Sequence, residues 1–384
     1  MSEVSIGIVL IVFLLLLFMT GIEMGFAMGL AGFIGYAILV SWKGAMNILA
    51  KDFFQTFASY GFTVIPLFVL MGQIAFNAGI AKRLYEGAHR FMGHGIVAVA
   101  GTLGVLIPPS VVLIIFGIIT EQSIGKLFLA GLFPGLVLAA LFAAVCIGWC
   151  KIDPSVGPRT ARYAWKERVD TLPEIVWPMV IFVLMVGGLM GGIFTPTEAG
   201  SVGALSVLLY TLFRKQLDLR AFVRSVVESL RTAAMVFILI AGSTVLGHFI
   251  AVTNIPTIAA DWVVNLPVHR HVVMIMICFL YLIGGSFIDD LAFLILATPI
   301  FFPAVLKLGY DPIWAAIMIC TTLVIGNVIP PVAVNVFIIK NITKMPMGII
   351  YAGVYPFLIS MLVLAVLLFI FPQLALFLPA ALMK

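Results

Sequence analysis

The chain has 384 residues, 63% of them hydrophobic and 10% charged, and its mean hydropathy is +1.24. This composition excludes a soluble globular domain of that length and predicts an all-α membrane protein with many spanning helices. The formal net charge is +5. Basic residues in the loops of such a protein face lipid headgroups, so we expect a lipid bilayer around the chain and no nucleic acid as a partner.

Apolar stretches long enough to span a bilayer recur along the whole chain, and several are interrupted by glycine or proline. Two other stretches, 41–61 and 214–233, carry charged residues on one side and apolar residues on the other, as helices in the membrane interface do. In chain order, the predicted membrane helices are 5–20, 23–41, 62–79, 96–119, 127–150, 175–193, 196–213, 233–252, a block at 272–303, 313–340 and 348–372.

The sequence lacks the motifs expected of an intramembrane enzyme or a transition-metal site. It contains neither HExxH nor GxSxG, which argues against protease and hydrolase chemistry. Its cysteines lie in apolar segments without histidines at metal-ligand spacing, so we predict neither a disulfide nor a zinc site. The cysteines are Cys146, Cys150, Cys278 and Cys320.

Two sets of motifs occur twice in the chain. TGIEMG at 20–25 matches TPTEAG at 195–200 with an offset of 175 residues. GTLGVLIPPSVVL at 101–113 matches VIGNVIPPVAVN at 324–335 with an offset of 222, and the same offset continues into LAGLFPG and YAGVYPF. An ungapped register of that length is hard to obtain by chance, so we predict two structural repeats.

A polar segment at 151–174 separates the predicted repeats, which are then 1–150 and 175–384. The change of offset from 175 to 222 means that the first repeat lacks 47 residues that the second contains, at a position between about 94 and 101. The additional block of the second repeat begins near 270 and contains GSFIDD. We therefore expect the first repeat to be incomplete.

Basic residues predict how the chain is oriented. The interfacial stretch 214–233 carries five arginine and lysine residues, whereas 41–61 carries two, so we expect the former on the cytoplasmic side. The N-terminus is then periplasmic, the linker between the repeats is cytoplasmic, and the repeats have inverted topology. With five crossings per repeat, 272–303 is a re-entrant hairpin, and its predicted helices 272–283 and 291–303 are each too short to span.

The tip of this hairpin, GGSFIDD, is the predicted cation site. Re-entrant backbone exposes N–H and C=O groups that can bind ions, and two adjacent acids exceed what the capping of one helix requires. N-capping explains one of the two acids equally well. The predicted cation-binding residues are Gly285, Asp289, Asp290, Gly326 and Gly104.

The sequence IGNVIPP predicts a helix that unwinds near the middle of the membrane, because its prolines cannot donate hydrogen bonds and its glycine is permissive. Freed carbonyl oxygens of this kind suit Na⁺ as the coupling ion. The asparagines here can equally form hydrogen bonds between helices. The predicted substrate-binding residues are Ser110, Asn327, Pro330 and Asn335.

The motifs GTLGVLIPPS, GIFTPTEAG, GSFIDDLA, YDP and IGNVIPPVAVNVF resemble the large membrane subunit of tripartite ATP-independent periplasmic (TRAP) transporters, over essentially the whole chain. The resemblance implies an elevator-type secondary transporter in the bacterial inner membrane, in which a Na⁺ gradient drives uptake of an organic anion. It implies no cofactor. It also implies two partners, a periplasmic substrate-binding protein and a small four-helix membrane subunit.

The chain departs from that family at one point. Members carry a first re-entrant hairpin before GTLG, but here GHGIVAVAGTLG runs directly across that point. Because the change of repeat offset falls at the same place, we expect no hairpin between 80 and 120, a single crossing helix at 96–119, and poor uptake or none. The alternative function is a sodium:dicarboxylate or citrate symporter that works without a binding protein.

Overall fold

The computed structural model describes residues 3–80, 104–152, 172–265, 267–329, 340 and 346–383, and every regular element of this part of the chain is helical. The first helices are α1 (Glu3–Met19), α2 (Met24–Leu39), α3 (Trp42–Ala58), α4 (Val64–Asn77), α5 (Val111–Ile119) and α6 (Ile124–Ile152). They are followed by α7 (Leu172–Met190), α8 (Pro196–Phe213), α9 (Leu219–Val252), α10 (Ile255–Val264), α11 (Arg270–Phe287), α12 (Asp290–Lys307), α13 (Pro312–Gly326), α14 (Met347–Ile370) and α15 (Gln373–Leu382).

Several of these helices have the length and composition of membrane spans. Within the described residues, six are long and apolar enough to cross a membrane, namely Tyr60–Asn77, α6, α9, α11, α12 and α14. Helices α1, α2 and α13 are equally apolar in character but shorter. The prediction of an all-α membrane protein is confirmed for this part of the chain.

Helix α9 joins two segments that the sequence pattern separates. The predicted interfacial stretch 214–233 and the predicted membrane helix 233–252 form one helix of 34 residues. It contains no proline, and Asp218 caps its start by accepting a hydrogen bond from a backbone N–H of the first turn at 2.7 Å. In the first part of the chain, a 3-10 turn at Tyr60–Thr63 separates α3 from α4 instead.

Small residues allow two pairs of helices to approach closely. A Cβ at Gly25 of α2 would lie 2.7 Å from the carbonyl oxygen of Ile238 in α9, and one at Gly32 would lie 2.5 Å from the backbone of the same helix. Only glycine permits this approach. Helices α8 and α4 meet through Gly200, where an added Cβ would lie 3.2 Å from Leu67.

Two polar contacts, neither of them predicted, connect α3 and α4 to α9. Asn77 at the end of α4 donates hydrogen bonds from Nδ2 to the Ser225 hydroxyl at 3.0 Å and to the Glu228 carboxylate at 3.2 Å. Asp52 of α3 is buried, and one of its carboxylate oxygens lies 3.2 Å from His248 Nε2, within ion-pair distance but without hydrogen-bond alignment. Both contacts join an interfacial stretch to a membrane helix of the other half.

Helices α11 and α12 form an antiparallel hairpin that turns at Ile288 and Asp289. In its interior, the Tyr281 ring of α11 packs edge-on against Phe293 of α12, with the ring centroids 5.6 Å apart. The Tyr281 hydroxyl donates a hydrogen bond to the Thr298 hydroxyl at 3.2 Å. The hairpin is therefore held by an aromatic contact near its tip and a buried polar contact further along.

The expectation that both helices of the hairpin are too short to span a membrane was wrong. Expected at 272–283 and 291–303, they each contain 18 residues and are long and apolar enough to cross. Gly284 and Gly285 remain helical because α12 and α13 pack directly on them, and two prolines are accommodated inside α12. The re-entrant topology of the hairpin stays a prediction.

The predicted helix 96–119 is interrupted in its described part. The described helical residues 104–106 end before Pro108, and α5 begins only at Val111. Pro108 and Pro109 lie between these helical segments. Because proline has no backbone N–H, neither can donate a hydrogen bond to a carbonyl group of the preceding turn. The prediction that 96–119 crosses the membrane once stays a prediction, because its first part lies outside the described residues. The segment 81–103, where we expect no hairpin, lies outside the described residues.

A candidate cation site at three helix ends

The candidate site lies where the C-terminal ends of α11 and α13 meet the N-terminal end of α12. Helices α11 and α13 run in parallel. Near their starts, the Tyr310 hydroxyl and His271 Nδ1 are 2.7 Å apart, and near their ends a Cβ at Gly326 would lie 2.9 Å from the carbonyl carbon of Gly285. The last carbonyls of a helix lack partners within it and carry partial negative charge. Two such ends together favour a cation.

Asp289 is the N-cap of α12. One of its carboxylate oxygens accepts hydrogen bonds from the backbone N–H groups of Leu291 at 3.1 Å and Ala292 at 3.4 Å. Its side chain is exposed. The structure thus gives Asp289 the capping role that the sequence left open for one of the two acids.

Asp290 is the first residue of α12 and is 8% exposed. Its Oδ2 accepts a hydrogen bond from Nδ2 of Asn327, the residue that ends α13. The Oδ1 atoms of both side chains are buried and have no hydrogen-bond partner within the described part of the chain. A buried oxygen without a partner is costly, more so on a carboxylate. A cation is the kind of partner that offsets the cost of a buried carboxylate oxygen.

Two glycines bring backbone carbonyls next to this pair. A Cβ at Gly285 would lie 2.7 Å from the carbonyl oxygen of Leu323, and one at Gly326 would lie 2.5 Å from the carbonyl oxygen of Leu282. Both distances are too short for a Cβ atom, so glycine is required at the points where α11 and α13 approach most closely. Their C-terminal turns can therefore present carbonyl oxygens at close quarters.

The interior of the hairpin contains hydroxyl groups that sequence reasoning missed. Ser286 is buried beside Gly326 and donates a hydrogen bond to the carbonyl of Ile283 at 2.7 Å. Thr298 is 1% exposed and pairs with Tyr281. Ser286 lies inside GSFIDD, so a polar residue within the predicted tip could have indicated that it belongs to the site. Nothing in the sequence pairs Tyr281 with Thr298, which are separated by the turn.

The predicted residues near the first proline pair do not join this cluster. Ser110 is 2% exposed, and its hydroxyl caps α5 by accepting a hydrogen bond from the backbone N–H of Leu113 at 3.3 Å. Among the residues that the structure describes, none has an atom within 4 Å of the Cβ that Gly104 would carry. The cavity beside Pro108 and Pro109 has a volume of only about 10 Å³ and an apolar lining. In the described part of this break, the buried polar side chain is Ser110, and its hydroxyl already caps α5.

The structure therefore brings together Gly285, Asp290, Gly326 and Asn327, with Asp289 at the edge. Among the described residues, Ser110 and Gly104 show no hydrogen bond or close contact with these four residues. Pro330 and Asn335, which we expected to bind substrate, lie outside the described residues. Helix α13 does end at Gly326, as the predicted unwinding requires.

Relatives of known type resemble the chain over nearly its whole length. A C4-dicarboxylate TRAP transporter large permease protein of Pseudomonas aeruginosa is 29% identical, with 92% of this chain and 93% of that protein covered. A sialic acid TRAP transporter large permease protein of Vibrio cholerae is 28% identical, covering 94% and 96%. An ectoine TRAP transporter large permease protein of Halomonas elongata is 29% identical, with the same coverage of 94% and 96%.

The family described as "Tripartite ATP-independent periplasmic transporter, DctM component" matches residues 10–95 and 94–374. The two matched pieces meet at 94–95. The alignment with the Pseudomonas relative extends over 403 positions, which exceeds the 384 residues of this chain. The relatives are transport permeases and not enzymes, and the helices suit a multi-pass inner-membrane protein. The chain belongs to the DctM component family of the tripartite ATP-independent periplasmic transporters.

Proposed function

We propose that the chain is the large membrane subunit of a secondary transporter in which Na⁺ drives uptake of an organic anion. The observation that carries the proposal is the buried pair of Asp290 and Asn327, with one unpartnered oxygen on each side chain. A membrane-buried carboxylate is a functional site by default, because its burial is costly without a partner. The coupling cation is that partner here.

The donor set fits Na⁺ better than a transition metal. Carboxylate, amide and backbone carbonyl oxygens are hard ligands, which suit hard cations, whereas transition metals favour imidazole and thiolate. Within the described residues, no group of three or more histidine, cysteine or acidic side chains could hold a metal ion. One carboxylate, from Asp290, also matches a single positive charge.

The contact between the hairpin tip and α13 supports the proposal of an elevator-type transporter. The tip of the hairpin is seated on the end of α13 through Asp290 and Asn327, so cation binding at this point would hold tip and broken helix together. In transporters with broken helices, coupling ions and substrates bind near such interruptions. The hairpin, α13 and the chain beyond it form the moving unit in this proposal.

The proposed cargo is an organic acid delivered by a periplasmic binding protein, with a small four-helix membrane subunit as the second partner. Relatives are named for C4-dicarboxylate and sialic acid, and another for ectoine. Asn327, Pro330, Asn335 and Ser110 remain the proposed substrate-binding residues, of which Asn327 also contacts the cation site.

The first repeat, 1–150, is proposed to lack its hairpin, while 175–384 contains one at about 272–303. Three observations support this. The repeat offset changes by 47 residues, the two matched pieces of the family meet at 94–95, and the alignment with a relative is longer than this chain. We therefore propose that the chain binds Na⁺ at the second break but transports poorly.

The cation site is tested by melting the purified full-length chain in NaCl, KCl and choline chloride at equal ionic strength. A ligand that binds only the folded state stabilises it by about 2.7 kcal/mol at a hundred times its dissociation constant. We expect a rise in melting temperature with Na⁺ concentration that KCl and choline chloride do not reproduce. Equal melting temperatures in all three salts would contradict the proposed Na⁺ site.

The binding-protein partner is tested separately, because the alternative function is a sodium:dicarboxylate or citrate symporter that needs none. Liposomes with the chain and a small membrane subunit would be assayed for Na⁺-driven uptake with and without a panel of loaded periplasmic binding proteins. We expect any uptake to require one of these proteins. Uptake of free dicarboxylate or citrate in their absence would favour the alternative.

A further inference from the structure

A polar contact outside the cation site joins α3 to α9. Asp52 lies on the buried face of α3 and is 4% exposed. Its Oδ2 lies 3.2 Å from Nε2 of His248 and has no hydrogen-bond partner in the described part of the chain. A buried carboxylate is costly unless a proton or a cationic group neutralises it. The imidazole of His248 can supply either one.

His248 connects this carboxylate to the surroundings of the protein. Its side chain is 48% exposed. It lies about one turn before the end of α9, and the exposed Asn254 follows that end. Imidazole is the side chain that ordinarily changes charge between pH 5 and 8. A proton can therefore reach or leave the pair through His248 without a path across the bundle.

Other ionisable groups have less influence on the pair. Lys51 precedes Asp52 in the chain, but it is exposed and acts on the carboxylate less strongly than His248 does. In α2, which also packs on α3, the titratable side chain is Tyr36, whose ring lies beside the first turn of α3. Along α9, the preceding charged residue is Arg231, about 25 Å from His248. Among the described residues, His248 is therefore the main charge partner of Asp52.

Burial gives the pair a definite response to pH. Burial raises the pKa of the Asp52 carboxyl, and the charges of His248 and Lys51 reduce that effect. A carboxyl whose pKa is raised by folding contributes stability at low pH, and this stability is lost as the pH rises through the pKa of the folded state. While His248 is charged, it neutralises an ionised Asp52. When both have lost their protons, a buried carboxylate remains without a cation, so the contact between α3 and α9 is weakest at high pH.

The polar contact at the start of α9 does not depend on a proton in this way. There Asn77 donates hydrogen bonds to the Ser225 hydroxyl at 3.0 Å and to the Glu228 carboxylate at 3.2 Å. Glu228 also forms an ion pair with Arg224 at 2.8 Å. Amides and hydroxyls do not titrate near neutral pH, and arginine keeps its charge. Of these two contacts, the one made by α3 is the one that can respond to pH.

We propose that Asp52 and His248 form a proton-binding site, which stabilises the contact between α3 and α9 while a proton is bound and weakens it when the last proton leaves. The ligand is a hydrogen ion from the solution that His248 faces. The edge-on packing of Phe57 on Phe237, with ring centroids 5.4 Å apart, does not titrate and holds the end of α3 in both states. This site shares no residue with the cation site and does not depend on the proposed transport activity.

The test compares the full-length chain in detergent at about pH 5 and about pH 8.5, at the two ends of the range in which imidazole changes charge. Hydrogen exchange with mass spectrometry measures the protection of α3. Asp52→Asn is measured at the same two pH values, so that the intrinsic pH dependence of exchange cancels in the ratio. One unit of pKa difference corresponds to a tenfold change in an equilibrium, so protection in the wild type should fall about tenfold relative to the variant at high pH. Peptides around Phe57 should change less.

Further variants separate a titrating pair from a contact that only packs. His248→Gln should move the fall in protection to lower pH, because the carboxylate then has no cationic partner on α9. Asp52→Asn with His248→Gln should show no fall, because neither amide titrates. Ser225→Ala weakens the other polar contact and is the matched control, which should keep the wild-type pH dependence of α3.

Two results would overturn the proposal. The first is an equal ratio of protection between the wild type and Asp52→Asn at both pH values. The second is a fall in protection that persists in the double variant. If Asp52→Asn does not fold, the half-exposed His248 still gives a decision, because an unchanged pH dependence in His248→Gln would also contradict the proposed site.

Discussion

The chain has two proline breaks, GVLIPP at 104–109 and GNVIPP at 326–331. They share a sequence pattern, but their surroundings differ. At the first, Ser110 caps its own helix and apolar side chains such as Phe68 and Phe128 line a cavity of only about 10 Å³. At the second, Asn327 meets the buried Asp290 and each keeps one unpartnered oxygen. Among the described residues, the second break receives a carboxylate from another element and the first does not.

The difference shows what the hairpin contributes. The helix end after Gly326 presents carbonyl oxygens and an amide, which by themselves bind cations weakly. The hairpin adds Asp290 at the N-terminal end of α12, and the glycines at the crossing of α11 and α13 allow the tip to seat closely. A proline break therefore becomes a candidate cation site only when a hairpin tip is placed against it.

Restoring a hairpin to the first repeat should have the largest effect. We expect that inserting a family-type hairpin of about 47 residues between His94 and Gly101 raises Na⁺-driven uptake from near background to a clear rate, because the first break then acquires a polar partner. The measurement is uptake by liposomes that also contain the partners. A flexible glycine-serine insert of equal length is the control and should not help. Full uptake by the 384-residue chain itself would contradict this prediction.

The second prediction separates the two acids of the hairpin tip. Asp290→Asn should remove the Na⁺-dependent stabilisation, which amounts to about 2.7 kcal/mol at a hundred times the dissociation constant. Asp289→Asn should preserve it, because asparagine caps a helix as well as aspartate does. The measurement is melting temperature against Na⁺ concentration. An unchanged Na⁺ response in both single variants and in the double variant would reduce these acids to structural roles.

The third prediction compares equivalent glycines at the two breaks. Gly326→Ala should destabilise the fold by about 1–3 kcal/mol, because the new Cβ would lie 2.5 Å from the carbonyl oxygen of Leu282. Gly104→Ala should stay within about 0.5 kcal/mol, since the described residues place no atom within 4 Å of the new Cβ. Chemical denaturation in detergent measures both. Similar losses in the two variants would mean that the first break is packed as closely as the second.

The fourth prediction concerns the helix cap at Ser110. Ser110→Ala should cost about 0.5–2 kcal/mol through loss of the cap on α5 and should leave the Na⁺ response unchanged. Ser41→Ala, which removes the exposed cap of α3, is the matched control for a cap outside the membrane core. A changed Na⁺ or substrate response at full stability would instead identify Ser110 as a ligand.

Local pattern was sufficient to predict the features that depend on short stretches of sequence. The place of the turn between α11 and α12 followed from GGSFIDD, which interrupts an apolar block, and the end of α13 at Gly326 followed from the prolines after it. The prediction of a re-entrant hairpin came instead from the change of repeat offset and the count of crossings. The acids could not be told apart, because capping and burial depend on the direction in which the chain leaves the turn. Only the fold shows that Asp289 caps α12 while Asp290 is buried against Asn327.

The features that sequence did not predict depend on contacts between distant segments. The hairpin helices are longer than expected because neighbouring helices pack on Gly284 and Gly285 and keep them helical. The contact between Asp52 and His248 joins α3 to α9, although the seven- and four-residue spacing of Ala45, Asp52 and Thr56 marks a buried face in retrospect. No local rule connects such a face to its partner.

The uninterrupted helix α9 has a mechanical consequence. Its 34 residues make a rod about 51 Å long, against a hydrocarbon core about 30 Å thick. Because the helix is continuous, a tilt of its membrane portion must also move the segment that carries Arg224 and Glu228. Helix α3 is joined to α4 through the 3-10 turn at Tyr60–Thr63, so the two do not form one continuous rod. The two interfacial stretches are therefore coupled to their membrane helices in different ways.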